Sequence, residues 1–167
     1  ADHPYNGAAL DAPGDMHRLL VDQNLSAVTG ACLMVRKSLY EAVGGLDEGD
    51  FKVSYNDIDL CLKVRQSGHL VVWTPHALMM HVGSVSQKSV GSAADEAKRQ
   101  RFAAEQDAMY AKWLPALAHD PAYHRHFTLY GKGYEIEPHL RMPTGAPSCG
   151  PRILAHPADV QGSGHYR

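Results

Sequence analysis

Tyr55-Asn56-Asp57-Ile58-Asp59-Leu60 opens a short amphipathic helix at the centre of residues 27–86. Asn56 is a favourable N-cap, and Asp57 and Asp59 fall in the first turn, where the helix dipole favours negative charge. Apolar side chains at helical spacing follow, and Gly68 ends the pattern. The sequence therefore predicts a helix that carries an acid at its N-terminal end.

A strand-like segment lies on either side of this helix. Residues 26–36 are a nearly continuous apolar run, which is typical of a strand covered on both faces in an α/β sheet. Residues 69–73 predict the next strand, and residues 77–80 predict a short one that ends at His81. This order of elements brings one carboxylate and one imidazole towards the same edge of a sheet.

Two further helices are indicated. Residues 37–43 predict one or two helical turns that stop at Gly44, because glycine readily takes the left-handed conformation of a helix cap. From Ser92 to about Leu117 the apolar residues fall on one helical face. That face consists of Phe102, Met109, Trp113 and Leu117.

Proline, glycine and changes of pattern divide the chain into five segments. We expect a loop or lead-in at 1–24, an α/β unit at 25–91, a helical extension at 92–137, a linker at 138–151, and the possible start of a following domain at 152–167. The sequence begins at Ala1 rather than Met and lacks the basic start and apolar core of a signal peptide. We therefore expect it to be covalently continuous with further domains.

Composition narrows the class of protein. The 167 residues carry a net charge of -2, which argues against a partner such as nucleic acid, since phosphate-rich partners select basic faces. No apolar run reaches the roughly 20 residues that a spanning helix needs. Cys32, Cys61 and Cys149 have no metal-type spacing, and the first two are expected to be buried. A reducing, cytoplasmic setting, or the inner face of the bacterial membrane, fits these features.

The chain resembles family-2 glycosyltransferases of the GT-A fold, over roughly residues 24–86. A weaker likeness to bacterial O-antigen or rhamnan-type transferases continues to about residue 123. The motifs that carry the resemblance are Thr29-Gly30-Ala31-Cys32-Leu33-Met34-Val35-Arg36, Gly44-Gly45-Leu46-Asp47-Glu48, Asn56-Asp57-Ile58-Asp59-Leu60-Cys61, Pro75-His76-Ala77 and His81. The order of these motifs is that of the C-terminal half of the fold.

The resemblance implies transfer of a sugar, with inversion, from a nucleotide-diphospho-sugar donor to the hydroxyl of a saccharide acceptor. Asp57 would be the general base, and His81 would hold a divalent cation (Mn²⁺ or Mg²⁺) or the diphosphate. Thr29 and Gly30 would lie beneath the bound sugar. Further substrate contacts are expected from Asn56, Asp59 and Trp113.

Two departures from the family pattern matter. Asn56 stands where the family often has Glu, which bears on acceptor contacts. The family's metal-binding Asp-x-Asp should precede residue 1, so most cation ligands are expected outside this chain. Asp57 and Asp59 do not replace that motif, since helix residues two apart point about 200° away from each other.

Plainer alternatives accompany several of these assignments. Asp57 could serve only the helix dipole, Asp59 could be a packing carboxylate, and Trp113 could be a core residue.

The chain could also be a non-catalytic structural or acceptor-binding module, inactive alone because the nucleotide-binding half is absent. A metal-dependent hydrolase would need more ligands than Asp57 and His81. An uncovered sheet edge would favour a homodimer.

Overall fold

The computed structural model describes residues 5, 7–79, 92–128 and 134–137. It combines helices with a small sheet, which is compatible with an α/β protein. The elements are a 3₁₀ helix at Asp15–Leu20, strand β1 at Gln23–Leu25, a 3₁₀ turn at Gly30–Cys32, helix α1 at Lys37–Ala42, helix α2 at Asn56–Gln66, strand β2 at Val71–Trp73 and helix α3 at Ser92–Ala118. None of the helices in this part of the chain combines the length and apolar character that a membrane span requires.

The sheet pairs β1 with β2 in antiparallel register, Gln23 opposite Trp73 and Leu25 opposite Val71. The second predicted strand is therefore confirmed in shortened form, but the strand expected at 26–36 is wrong. That segment contains the 3₁₀ turn instead, and its side chains are largely exposed, with Met34 99% exposed. A strand needs a neighbour to take its backbone groups, and the described residues supply none there.

Two smaller expectations also differ from the structure. Residues 77–79 form no strand. Cys32 is exposed, because it lies in the 3₁₀ turn, whereas Cys61 is buried as expected. Met80, His81 and Cys149 lie outside the described residues, as do the predicted linker and the segment 152–167. The five segment boundaries stay predictions.

Helix α1 ends as the sequence predicts. The N–H of Gly44 bonds to the carbonyl of Glu41 at 3.1 Å, and the N–H of Gly45 bonds to the carbonyl of Tyr40 at 2.8 Å. Gly44 has a φ of 82°, so this Schellman-type cap relies on the left-handed conformation that glycine adopts without strain.

Helix α2 is the most buried element of the described chain. Five of its residues are buried: Asp59, Leu60, Cys61, Leu62 and Val64. Leu62 packs with Phe51 and with Met109 and Trp113 of α3, while Leu60, Cys61 and Val64 pack with Val71 of β2. The helix thus joins two apolar clusters, one towards α3 and one towards the sheet.

The start of α2 differs by one residue from the prediction. Tyr55, with a left-handed φ of 64°, is the cap, and Asn56 is the first helical residue. The side chain of Asn56 accepts the N–H of Asp57 at 2.8 Å, so it still satisfies a free donor of the first turn.

Candidate functional site

The carboxylate of Asp57 joins the start of α2 to the 3₁₀ turn. Its Oδ2 accepts the backbone N–H of Gly30 at 2.8 Å, and its Oδ1 accepts the N–H of Ile58 at the same distance. Asp57 is half-buried, and Asn56 precedes it on the helix. Two segments that lie 27 residues apart in the chain therefore meet at this carboxylate.

A side chain at Gly30 would crowd Asp57 at this contact. A Cβ atom built on Gly30 would lie 3.1 Å from the Cβ of Asp57, which is closer than an ordinary van der Waals contact. Thr29 stands next to it, and its hydroxyl oxygen accepts the N–H of Ala31 at 3.3 Å to cap the 3₁₀ turn. The structure thus brings Thr29, Gly30, Asn56 and Asp57 together.

Asp59 contacts a different part of the molecule. Its side chain is fully buried, and Oδ1 accepts the indole N–H of Trp113 at 2.8 Å. The ammonium of Lys112 lies 2.8 Å from the same oxygen, and that of Lys63 lies 3.0 Å from Oδ2. The latter ion pair is not aligned as a hydrogen bond. The two carboxylates diverge, as helix geometry predicts.

Lys112 links this buried acid to the loop before α2. Its ammonium also lies 3.1 Å from Oδ2 of Asp47. Partial burial acts to lower the pKa of Lys112, but the bonds to Asp59 and Asp47 outweigh it and raise the pKa. The N–H of Asp50, followed by Lys112, holds the pKa of Asp47 below its usual value. Both groups are therefore charged at neutral pH.

The burial of Trp113 and Asp59 favours packing over a substrate contact for both side chains. Trp113 is 9% exposed and belongs to the apolar cluster with Phe51 and Met109. A cleft of about 290 Å³ touches one side of Trp113, next to Arg65 and His119. Asp57 does not line this cleft.

The one cation ligand that the sequence predicts within this chain, His81, lies outside the described residues. Within 5, 7–79, 92–128 and 134–137, no group of three or more His, Cys, Asp or Glu side chains could hold a metal ion.

No role was predicted for Glu105 from the sequence. In the structure its carboxylate bonds to the loop before α2. Glu105 is 4% exposed, and its two oxygens accept the N–H groups of Val53 and Ser54 at 3.3 and 2.6 Å. The sequence does contain a signal. Glu105 falls three residues after Phe102 and four before Met109, so an acid interrupts the apolar face of α3.

The chain is similar to several known bacterial proteins. It is 45% identical over 112 residues to an uncharacterized protein, y4gI, of Sinorhizobium fredii, a match that covers 67% of this chain and 12% of that protein. It is 34% identical over 107 residues to the O-antigen biosynthesis protein RfbC of Myxococcus xanthus, covering 64% of this chain and 8% of that protein. The second of these relatives supports a glycosyltransferase-like family.

A third similarity is to the N-acetylglucosaminyl-diphospho-decaprenol L-rhamnosyltransferase of Mycobacterium tuberculosis, which supports the same kind of family. It has 39% identity over 54 residues, covering 32% of this chain and 17% of that enzyme. No family model matches the chain, and no solved structure matches it. The matched region thus spans less than a fifth of the length of each of these relatives.

Proposed function

We propose that this chain supplies the general-base side of a glycosyltransferase active site. The reaction is the transfer of a sugar, with inversion, from a nucleotide-diphospho-sugar to an acceptor hydroxyl. It serves the synthesis of a bacterial surface polysaccharide, in the cytoplasm or at the inner face of the membrane. The names of the relatives from Myxococcus xanthus and Mycobacterium tuberculosis support the reaction class. We also propose that the domain that carries this active site has the GT-A fold.

The observation that carries the proposal is the contact of 2.8 Å between Asp57 and the N–H of Gly30. It fixes a half-buried carboxylate beside the Thr29-Gly30 segment, which the family resemblance assigns to the sugar site. Each carboxylate oxygen has capacity for two hydrogen bonds. The N–H groups of Gly30 and Ile58 occupy one position on each oxygen, so Asp57 can still accept a proton donor.

In the proposed step, an oxygen of Asp57 accepts the proton of the acceptor hydroxyl. The acceptor oxygen then forms its bond to the anomeric carbon while the bond from that carbon to the diphosphate oxygen breaks. The proton remains on the Asp57 carboxyl, and the electron pair of the broken bond leaves with the diphosphate. A positioned base typically contributes about 10²–10⁴-fold to such a rate.

A divalent cation would neutralise the leaving diphosphate if one is used. The described residues do not form a site for it. His81 remains the candidate ligand from the sequence, and the proton transfer to Asp57 depends only on this carboxylate and its neighbours.

The test is Asp57→Asn in the full translation product that carries this sequence. Nucleoside diphosphate release would be followed with UDP-, GDP- and dTDP-sugars and cell-envelope saccharides as acceptors. We expect the rate to fall by about 10²–10⁴-fold, since Asn cannot accept the proton. The matched control is Asp107→Asn, on the exposed side of α3, which should retain the wild-type rate. A near wild-type rate for Asp57→Asn would reject the base assignment.

A second candidate function is a structural or acceptor-binding module without chemistry of its own. It is favoured by the two hydrogen bonds that the Asp57 carboxylate already accepts within the chain. Asp57 would then only satisfy the N–H groups of Gly30 and Ile58. The same substitution distinguishes the two functions, because a module would lose no turnover.

A further inference from the structure

Glu105 connects α3 to the loop that leads into α2. Its carboxylate is buried and accepts two backbone N–H groups, those of Val53 and Ser54, from a segment more than 50 residues earlier in the chain. The guanidinium Nε of Arg101 lies 4.0 Å from one of its oxygens. A buried carboxylate with two N–H donors makes strong, directional, charge-assisted hydrogen bonds.

Tyr55, the residue after Ser54, sets the direction of α2. Its φ of 64° is unfavourable for a residue with a side chain, so the surrounding contacts must hold it. Its ring packs on Phe102 of α3, with the ring centres 5.4 Å apart. The carbonyl of Tyr55 accepts the N–H of Asp59 at 2.8 Å, which is the first backbone hydrogen bond of the helix.

Helix α3 thus contacts this loop both before and at one backbone turn. Glu105 holds the two residues before Tyr55, and Phe102 holds the ring of Tyr55 itself. Asp57 follows two residues later, so its reach to Gly30 depends on where this turn ends. Because Glu105 bonds to backbone N–H groups, it holds the main chain itself at Val53 and Ser54.

We propose that Glu105 is a positioning residue that holds Asp57 in contact with Gly30. The proposal rests on the proposed function of Asp57 for its catalytic consequence, but the positioning itself is a property of the fold. Glu105→Gln is the sharpest change, because the shape is kept while one acceptor oxygen is replaced by an amide NH₂. That group is a donor and cannot accept the N–H it would face.

The test is a double-mutant cycle on this chain, read by the amide proton shift of Gly30 in NMR. Asp57→Asn replaces the charge-assisted bond with a weaker one and moves this signal. In a Glu105→Gln background we expect the change caused by Asp57→Asn to fall to less than half of its wild-type size, because coupled residues are not additive. An undiminished change would overturn the proposal.

Two controls separate positioning from stability. Glu96→Gln removes an exposed carboxylate of the same helix, bonded to Gln100, and should leave the change at Gly30 intact. The second control measures the change caused by Asp57→Asn with Glu105 intact, in enough urea to lower the unfolding free energy to that of Glu105→Gln. This change should also keep its full size. If Glu105→Gln does not fold, Glu105→Asp retains the charge at shorter reach and should give a partial reduction. A full change in that variant would equally overturn the proposal.

A kinetic arm uses the full translation product. Glu105→Gln should lower kcat by about 10-fold while KM for the donor stays within about twofold, because misplacement affects the transition state more than ground-state binding. If Asp57→Asn leaves turnover unchanged, the proposed function fails, whereas the NMR cycle still decides the positioning. The two failures are therefore distinguishable.

Discussion

At the scale of single residues, Asp57 and Asp59 show how two identical side chains on one turn serve different purposes. Asp57 is half-buried and bonded to backbone N–H groups, whereas Asp59 is fully buried between Trp113 and two lysines. The sequence predicted their divergence, because the period of a helix requires it. It left the environment of Asp59 open, because the partners on α3 lie more than 50 residues away.

Gly30→Ala tests whether the close approach to Asp57 matters. The added Cβ would lie 3.1 Å from the Cβ of Asp57, so the Asp57 side chain would have to shift by a few tenths of an ångström. We expect turnover of the full translation product to fall about 10–100-fold, since small misplacements of reacting groups cost that much. Urea unfolding should change by no more than about 1 kcal/mol, because Gly30 is exposed and has no positive φ.

The matched control is Gly49→Ala. Gly49 also lacks a positive φ, and its added Cβ would meet only an oxygen of Asp47, at 3.4 Å. This variant should retain turnover. Equal turnover in the two alanine variants would show that the close approach at Gly30 has no effect on the reaction.

At the scale of elements, α3 holds the loop and first turn of α2 with charged groups as well as with apolar packing. Lys112 contacts both Asp47 in the loop and Asp59 on α2. Such an arrangement makes the stability of the contact between the two helices depend on pH. The apolar face of α3 could be predicted from its spacing, but its polar contacts could not, because they depend on the path of a distant loop.

We expect this network to make the free energy of unfolding depend on pH in two ranges, one acidic and one alkaline. The folded pKa of Asp47 is lowered, so its contribution is present above the ordinary aspartate value of about 3.9 and is lost as pH falls through the folded pKa. The folded pKa of Lys112 is raised, so its contribution is present below about 10.4 and is lost as pH rises through the folded pKa.

The measurement is urea unfolding across pH for wild type, Asp47→Asn and Lys112→Met. Asp47→Asn should reduce the loss of stability in acid, and Lys112→Met should reduce the loss in alkali. Acid and alkaline limbs that are identical in all three proteins would exclude a stabilising role for this network. Between about pH 5 and 9 the contribution of this network should be nearly constant, because neither group changes its charge there.

At the scale of the whole molecule, local patterns were predicted well and long-range pairing was not. Helices α1, α2 and α3 follow from spacing, caps and glycines, which act within a few residues. The apolar run at 26–36 failed as a strand prediction, because a strand is completed only by its neighbour. In the described residues β2 pairs instead with Gln23–Leu25, and Met34 and Met79 remain exposed.

We expect this chain by itself to bind nucleotide-sugars only weakly, with Kd above about 1 mM. The reason is that the matched region spans less than a fifth of the length of each similar protein, so we expect most donor contacts outside this region. The measurement is titration calorimetry with UDP-, GDP- and dTDP-sugars in the presence of manganese, with the full translation product as the reference. Micromolar binding by this chain would mean that the donor site lies within it.

The divergence of Asp57 and Asp59 has a consequence for how such a sequence can change over generations. Selection for folding acts on Asp59, because its loss would leave Lys63 and Lys112 without their buried partner. Under the proposed function, selection for chemistry acts on Asp57. A descendant could therefore lose its reaction through one substitution and still fold. Its sequence would then lack the acid at position 57 and keep the acid at position 59.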